Sequence, residues 1–144
     1  MKICLIVDDY MPDSIKVAAK MMQELAIEFK NQGHDVTVLT PNTNINKNID
    51  IHELNGINIY RFKTGAIKNV PKIKRAINET LLSYNAWKSC KNLLEEDKHD
   101  LIIYYSPSIF WGSLVGKLKK VWNAKSYLIL RDIFPQWAVD NKIL

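Results

Sequence analysis

The sequence predicts an α/β fold: an open, mostly parallel sheet with helices on both faces. Two observations lead to this prediction. Short apolar runs rich in β-branched residues recur along the chain, and amphipathic helical segments separate them. With 144 residues, 47% of them hydrophobic and 24% charged, the chain is long enough for one domain with a sizeable core. The parallel strands are expected near residues 2–7, 35–40, 57–62, 101–105 and 125–130.

The first unit is a strand, a helix and a second strand. Residues 2–7 form an unbroken apolar run, which is typical of a strand covered on both faces in a parallel sheet. Ser14 offers an N-cap to a helix over residues 15–32, and Gly33 ends that helix. The short strand at 35–40 then completes a strand–helix–strand unit.

The middle of the chain predicts a hairpin followed by a long helix. Asn55-Gly56, the pair that most favours a tight hairpin turn, separates residues 51–54 from the strand at 57–62. One long amphipathic helix follows, and a further helix over residues 107–121 connects the last two strands. The apolar positions of the long helix are Ile73, Ile77, Leu81, Tyr84 and Trp87. The whole alternation predicts a Rossmann-like sheet.

Ligands of such sheets bind outside the carboxyl ends of the strands, so the loops after the strands are the places to search. The loop at residues 8–14 contains no glycine, which excludes a dinucleotide fingerprint and a P-loop there. Ser14 and the free amides of the first helix are able to hold a phosphate or a sugar hydroxyl. The alternative is that Ser14 does no more than cap the helix.

A receiver domain of a two-component system is a second fold of the same class. The run LIVDD at residues 5–9 resembles the start of such a domain, whose paired carboxylates hold a magnesium ion. A receiver also needs an Asp at the end of its third strand, where this chain has Phe62-Lys63. It needs a lysine after the fifth strand, where this chain has Arg131-Asp132. The receiver therefore stays as a minor alternative.

Cysteine and histidine spacing predicts no metal site, and nothing in the sequence predicts a cofactor. Cys4 and Cys90 fit no metal-ligand spacing, and we expect both to be reduced packing residues. His34, His52 and His99 stand alone near predicted loops, where surface positions are expected. No serine or cysteine elbow of a covalent hydrolase is present.

The positive charge is concentrated in one segment. The chain carries a formal net charge of +5, and residues 63–91 alone hold seven basic residues and one acidic residue, a formal charge of +6. Such a patch suits nucleic acid, anionic lipid head groups or phosphate-bearing substrates, and charge alone does not choose among them. The apolar runs are far shorter than a bilayer span and the N-terminus lacks signal-peptide regions, so we expect a cytoplasmic protein.

Four runs give a more specific resemblance that spans nearly the whole chain. They are DDYMP at residues 8–12, GHDVTVLT at 33–40, SPSIFWG at 106–112 and YLILRDIFP at 127–135. Together they resemble family 4 glycosyltransferases of the two-domain GT-B fold, and above all bacterial transferases of N-acetylated amino sugars in O-antigen assembly. Many members have paired glycines after the first loop's proline, where this chain has Asp13-Ser14. The contacts of that glycine loop are therefore not carried over.

The resemblance implies that residues 1–144 are the N-terminal acceptor-binding domain and that the C-terminal donor-binding domain is absent from this chain. The full enzyme would be a retaining transferase that needs no bound metal. It would move an N-acetylhexosamine-type sugar from a UDP-sugar to a polyprenyl-diphosphate-linked acceptor in O-antigen and lipopolysaccharide biosynthesis. We expect a peripheral position on the cytoplasmic side of the inner membrane, an anionic membrane surface as partner, no nucleic acid partner, and no activity from this chain alone.

The resemblance and the strand ends together give three sets of candidate site residues. Asp132 is the expected catalytic base and Arg131 the stabiliser of the leaving diphosphate, unless the two form a structural ion pair. Acceptor contacts are expected from Asp9, Asp13, Ser14, Ser106 and Trp111. Membrane or diphosphate contacts are expected from Lys68, Lys72, Lys74 and Arg75.

Two alternatives accompany this assignment. If Asp132 is not the base, the carboxyls of Asp8, Asp9 and Asp13 are next. If no donor domain follows, the chain is a noncatalytic membrane-docking or sugar-binding module of the same fold. For the long helix, the sequence favours sheet packing of the helix body and membrane contact at its basic start.

Overall fold

The computed structural model describes residues 1–66, 70–105 and 109–131. This part of the chain forms one six-stranded sheet with helices on both faces, which confirms the predicted fold class. The strands are β1 (Lys2–Ile6), β2 (Asp35–Asn42), β3 (Ile49–Leu54), β4 (Ile57–Lys63), β5 (Leu101–Tyr105) and β6 (Lys125–Ile129). The helices are α1 (Val17–Asn31), α2 (Lys72–Thr80), α3 (Leu82–Glu96) and α4 (Gly112–Trp122), with a 3₁₀ turn at Ile109–Trp111.

The five predicted parallel strands are all present, and they run in the order β4-β2-β1-β5-β6. Strand β3 adds an antiparallel edge next to β4. The Asn55-Gly56 hairpin joins these two strands, as predicted, with Leu54 opposite Ile57. Both turn residues have positive φ, 55° and 73°, and this pair of left-handed residues matches the twist of the strands on either side.

The sheet separates two hydrophobic cores. On one face α1 covers β1, β2 and β4, and on the other face α3 and α4 cover β1, β4 and β5. Residues 3–7 at the centre of the sheet are buried, because alternate side chains enter the two cores. The first core includes Ile3, Leu5, Met22, Val38 and Ile59, and the second includes Cys4, Ile6, Phe62, Leu94 and Trp111.

Helix α1 begins two residues later than the sequence predicts. Its N-cap is Lys16, which makes no side-chain capping bond, so the prediction that Ser14 caps it is wrong. The Ser14 amide donates to the Tyr10 carbonyl, which holds Ser14 inside the preceding loop. The Ser14 hydroxyl accepts from the Lys16 amide at 3.4 Å. At the other end, Gly33 follows the helix with a φ of 84°, as expected of a helix stop.

The predicted long helix is divided into α2 and α3 at Leu81. Only α3 packs on the sheet, where Leu82, Ala86, Cys90 and Leu94 enter the core. Ser83 fixes its start, since the hydroxyl donates to the Phe110 carbonyl and accepts from the Leu114 amide. The expected packing of the helix body on the sheet is therefore found in α3 and not in α2, because the helix that packs begins only after Leu81. Among the described residues, no helix has the length and apolar character needed to cross a membrane.

Two predictions for single residues have different outcomes. Cys4 and Cys90 are free and buried in the same core, as expected, and burial raises the pKa of the Cys90 thiol to about 12. The surface position expected for His99 is wrong. This residue lies two positions before β5 and packs against Trp122, with ring centroids 4.7 Å apart, and burial lowers its pKa.

Two glycine substitutions test the turn and the helices. Gly56→Ala places a side chain at a φ of 73° and should lower the free energy of unfolding by about 1–2 kcal/mol. Gly116→Ala, on the exposed side of α4 with nothing within 4 Å of the new Cβ, should raise it by about 0.5–1 kcal/mol. Urea denaturation measures both, and equal effects of the two substitutions would contradict the hairpin geometry.

Candidate functional site

The candidate site lies at the carboxyl edge of β1 and β5, where the chain changes faces. The helix that follows β1 is α1 on one face, whereas the helix that follows the neighbouring β5 is α4 on the other. Sheets of this class bind their ligands at such a change of face, outside the carboxyl ends of the two strands. Asp8 lies just after β1, and Trp111 belongs to the 3₁₀ turn after β5.

Trp111 and Asp8 are hydrogen-bonded to each other at this position. The Trp111 indole Nε1–H donates to Asp8 Oδ1 at 2.8 Å. The indole itself is fully buried and packs edge-on against Phe62, with ring centroids 6.1 Å apart and an interplanar angle of 86°. In this arrangement Trp111 holds the Asp8 carboxyl in place, and its ring is covered by the core instead of facing an acceptor.

Asp8 carries an unusual acid–base property for a carboxyl group. Burial raises the pKa of Asp8 to about 6. The Trp111 hydrogen bond opposes this rise, whereas the nearby carboxylates of Asp9 and Glu79 add to it. The fold thus keeps a carboxyl that exchanges its proton near neutral pH at the place where ligands of such sheets bind, a property typical of functional acids and bases.

Two of the predicted acceptor residues, Asp9 and Asp13 in the loop after β1, are held by ion pairs. Asp9 Oδ2 accepts from Lys16 Nζ at 2.7 Å. Asp13 Oδ2 accepts from Arg61 Nη1 at 2.9 Å and from Asn42 Nδ2 at 2.8 Å. These contacts give both carboxylates a structural role, although half of the Asp13 side chain remains exposed.

Arg61 is the anchor of this loop. Its side chain is buried at the end of β4, and Nη2 donates to the Met11 carbonyl at 2.7 Å while Nη1 meets Asp13. Burial lowers the pKa of Arg61 and the Asp13 carboxylate opposes that change, so the guanidinium stays charged. A buried guanidinium needs such partners, and here they connect the loop after β1 to β4.

The expected catalytic pair is only partly within the described residues. Arg131 follows β6, and its Nη1 donates to the hydroxyl of Tyr105, the last residue of β5, at 3.2 Å. Arg131 thus lies at the carboxyl edge, as the strand pattern predicts. Asp132 and Ser106 lie outside the described residues.

The basic candidates lie on or before α2. Lys72 and Lys74 are exposed on its first turn, whereas Lys68 and the side chain of Arg75 lie outside the described residues. Four of the five apolar positions of the predicted long helix form an exposed stripe across the α2–α3 junction, at spacings of four, four and three residues, whereas Trp87 is half-buried against the core. The exposed fractions of these residues are 78% for Ile73, 54% for Ile77, 43% for Leu81 and 56% for Tyr84.

The sequence analysis missed the role of Arg61 and ranked Asp8 only as an alternative. For Arg61 the sequence does contain an indication. Its neighbours Tyr60 and Phe62 face the core under α3 and α4, so the Arg61 side chain must face the core under α1, where a buried charge needs a partner. For Asp8 the signal was its position directly after an apolar run, which predicts burial. Within residues 1–66, 70–105 and 109–131, no group of three or more His, Cys, Asp or Glu side chains is arranged to hold a metal ion.

Comparisons with known proteins describe the fold and assign no function. No protein-family profile and no curated protein matches the chain. It is similar to the C-terminal domain of a hydrogenase from Pyrococcus furiosus, with a TM-score of 0.55, 19% identity and 90% of each chain covered. A structure from E. coli, described as trehalose-6-phosphate bound with UDP-2-fluoro glucose, gives a TM-score of 0.48 at 11% identity, covering 89% of this chain and 32% of the other. The second similarity is too low to carry an argument, so the fold comparison rests on the first.

The strand order excludes the receiver alternative. Receiver domains place their parallel strands in the order 2-1-3-4-5. The five parallel strands here, numbered along the chain, have the order 3-2-1-4-5, the same arrangement as the first five strands of a Rossmann sheet. In addition, the strand that would carry the phosphoacceptor ends at Lys63.

The raised pKa of Asp8 predicts that Asp8→Asn stabilises the fold at neutral pH. Asparagine still accepts the Trp111 hydrogen bond but removes the charge. The folded carboxyl has a pKa near 6 against an ordinary value of 3.8, so the wild-type chain loses stability as pH rises between these values. We expect the free energy of unfolding to increase by about 1–3 kcal/mol at pH 7.5 and the gain to disappear near pH 4.

Urea denaturation of both chains at the two pH values measures this effect. Asp9→Asn is the matched control: it removes the adjacent carboxylate, which is paired with Lys16, and should not stabilise the chain. A gain of equal size at pH 7.5 and pH 4 would contradict the proposed titration of Asp8.

Proposed function

We propose that this chain is the acceptor-binding N-terminal domain of a retaining glycosyltransferase that works on an anionic membrane surface. The reaction moves an N-acetylhexosamine-type sugar from a UDP-sugar to a polyprenyl-diphosphate-linked acceptor of O-antigen assembly. The four sequence runs that resemble family 4 glycosyltransferases support the reaction class. The observation that carries the membrane part is the exposed apolar stripe on α2 and the start of α3.

Helix α2 lacks the packing that normally stabilises a helix of its length. It has nine residues, and none of its described side chains is buried. Isolated helices shorter than about 12–15 residues are marginal in water, and most helical stability in proteins comes from packing of an amphipathic face. Ile73, Ile77 and Leu81 therefore need a surface to cover them.

The charge around the stripe identifies that surface. Lys72 and Lys74 lie on either side of Ile73, about 100° around the helix in each direction. A helix with an apolar stripe between flanking lysines is typical of segments that lie in the interface of an anionic bilayer, with the lysines at the head groups. The formal charge of +6 on residues 63–91 favours anionic lipid in the same way.

The carboxyl edge of the sheet supports the transfer part of the proposal. In sugar transfer the acceptor hydroxyl loses a proton and the leaving diphosphate gains negative charge, so a carboxylate and a guanidinium are suitable partners. Arg131 lies at this edge, and Asp132 follows it in the sequence. The UDP-sugar itself would be held mainly by the donor-binding domain that we propose for the complete enzyme.

Charge reversal on α2 tests the membrane part. Each basic residue near an anionic surface contributes about 1 kcal/mol of attraction, so Lys72→Glu, Lys74→Glu and Arg75→Glu combined should weaken binding to anionic vesicles by at least about 100-fold. Ile73→Ser with Ile77→Ser should weaken it without any change of charge. Sedimentation with vesicles containing phosphatidylserine measures both effects.

The matched control reverses three lysines at the opposite edge of the sheet. Lys119 and Lys120 lie at the end of α4 and Lys125 begins β6, and all three are exposed. Their reversal gives the same change in net charge and should leave most of the vesicle binding. Equal losses from the two triple variants, or vesicle binding that ignores salt, would refute docking through α2.

Asp132→Asn tests the catalytic part in the complete transferase. Asparagine preserves the shape of the side chain but removes most of its basicity, so turnover should fall by at least about 100-fold if Asp132 is the base. Initial rates of sugar transfer measure this, with binding of the UDP-sugar as the control for folding. Near-normal turnover would reduce Asp132 to a structural role and leave Asp8, whose pKa is about 6, as the next carboxyl to replace.

A further inference from the structure

A polar cavity of about 430 Å³ lies at the carboxyl edge of the sheet, and Asp8 is not among the residues that line it. It is bordered by the start of β3, the end of β4 and the first turns of α3. Six of its lining residues supply polar side chains: Asn48, Lys63, Thr64, Asn85, Lys88 and Ser89. The volume is within the range of small-molecule sites.

The lining residues have the chemistry of an anion site. Two ammonium groups, two amides and the Ser89 hydroxyl are available to the cavity, whereas the Thr64 oxygen is buried, and no carboxylate is among the residues that line it. Lys63 and Lys88 are exposed, and neither makes an ion pair within the described part of the chain. Such a concave set of donors and positive charges favours a group with several anionic oxygens.

Backbone hydrogen bonds fix the wall of the cavity that β4 contributes. The Lys63 amide donates to the Asn48 carbonyl at 2.8 Å, and the Thr64 amide donates to the Asn42 carbonyl at 3.2 Å. The backbone of Lys63 and Thr64 is thus held by hydrogen bonds to the chain at the start of β3 and at the end of β2. The position of Lys63 is therefore set before any ligand arrives.

Helix α2 fixes the next part of the same wall. Asn78 Nδ2 donates to the Ala66 carbonyl at 2.7 Å. Gly65 lies so close to this side chain that a Cβ on it would be 2.5 Å from Asn78 Oδ1. Gly65 and Ala66 therefore rest against α2, which connects the cavity to the helix of the proposed membrane surface.

We propose that this cavity binds a phosphoryl group, and that the group is the diphosphate of the lipid-linked acceptor. The second half of this statement rests on the proposed function. Lys88 follows Tyr84 by one helical turn on the same stripe, and Asn85 and Ser89 lie beside it on α3. The cavity therefore opens at the flank of the apolar stripe, where the diphosphate of a membrane-anchored polyprenyl lipid would be.

Titration with inorganic diphosphate at low ionic strength tests the first half. Lys63→Ala and Lys88→Ala should each weaken binding by on the order of tenfold. Lys91→Ala is the matched control, because Lys91 is exposed on the same helix, pairs with Glu95 and does not line the cavity. Equal weakening by all three substitutions would overturn the cavity as a specific site.

Vesicles distinguish the sources of the phosphoryl group. Neutral phosphatidylcholine vesicles that carry a polyprenyl diphosphate should retain the wild-type chain at least about tenfold better than they retain the Lys88→Ala chain. Anionic vesicles without the diphosphate should retain the two chains more nearly equally. If inorganic diphosphate binds through Lys63 and Lys88 but binding to the diphosphate-carrying vesicles does not depend on Lys88, the assignment of the acceptor is overturned. If vesicle binding does not depend on the charges and apolar residues of α2, the proposed function is contradicted instead.

Discussion

The burial of β1 on both faces is the constraint on which the rest of the structure depends. Because alternate side chains of this central strand enter different cores, helices must cover the sheet on both sides. Helix α1, which follows β1, covers one side, and α4, which follows the neighbouring β5, covers the other together with α3. Asp8 lies at this change of face, and the parallel strands β4 and β6 end along the same edge.

Two ionisable side chains at this edge, Arg61 and Asp8, have opposite surroundings. Arg61 is buried, and the fold gives it a carboxylate and a carbonyl, which turns the loop after β1 into a fixed wall. Asp8 is largely buried, and this burial, together with the nearby carboxylates of Asp9 and Glu79, disfavours its ionised form although Trp111 donates a hydrogen bond to it. A carboxyl with a raised pKa is typical of a residue that accepts or releases a proton. The helices differ in a similar way: α3 is packed on the sheet, whereas none of the described side chains of α2 is buried.

The fold was predictable from the sequence because its signals are local. Apolar runs, helical spacing and an Asn-Gly turn each depend on a few neighbouring residues, and all five parallel strands follow from them. The failures involve contacts between distant segments or competing local bonds. Ser14 does not cap α1 because the helix begins only at Val17, and the Ser14 hydroxyl accepts from the Lys16 amide before it. The long helix divides at Leu81 because only its second part meets the core. His99 is buried by Trp122, and the contact of Asp8 with Trp111 joins residues 103 positions apart.

The central claim is that this chain holds the acceptor for sugar transfer at a membrane. The most direct measurement supplies a protein that contains this chain with a UDP-N-acetylhexosamine and a polyprenyl-diphosphate-linked saccharide in vesicles, and follows the lipid-linked product by mass spectrometry. We expect extension of the acceptor by one sugar, with the anomeric configuration of the donor retained. Binding of the lipid-linked acceptor without any transfer would contradict the proposed function and would indicate a noncatalytic sugar-binding module instead.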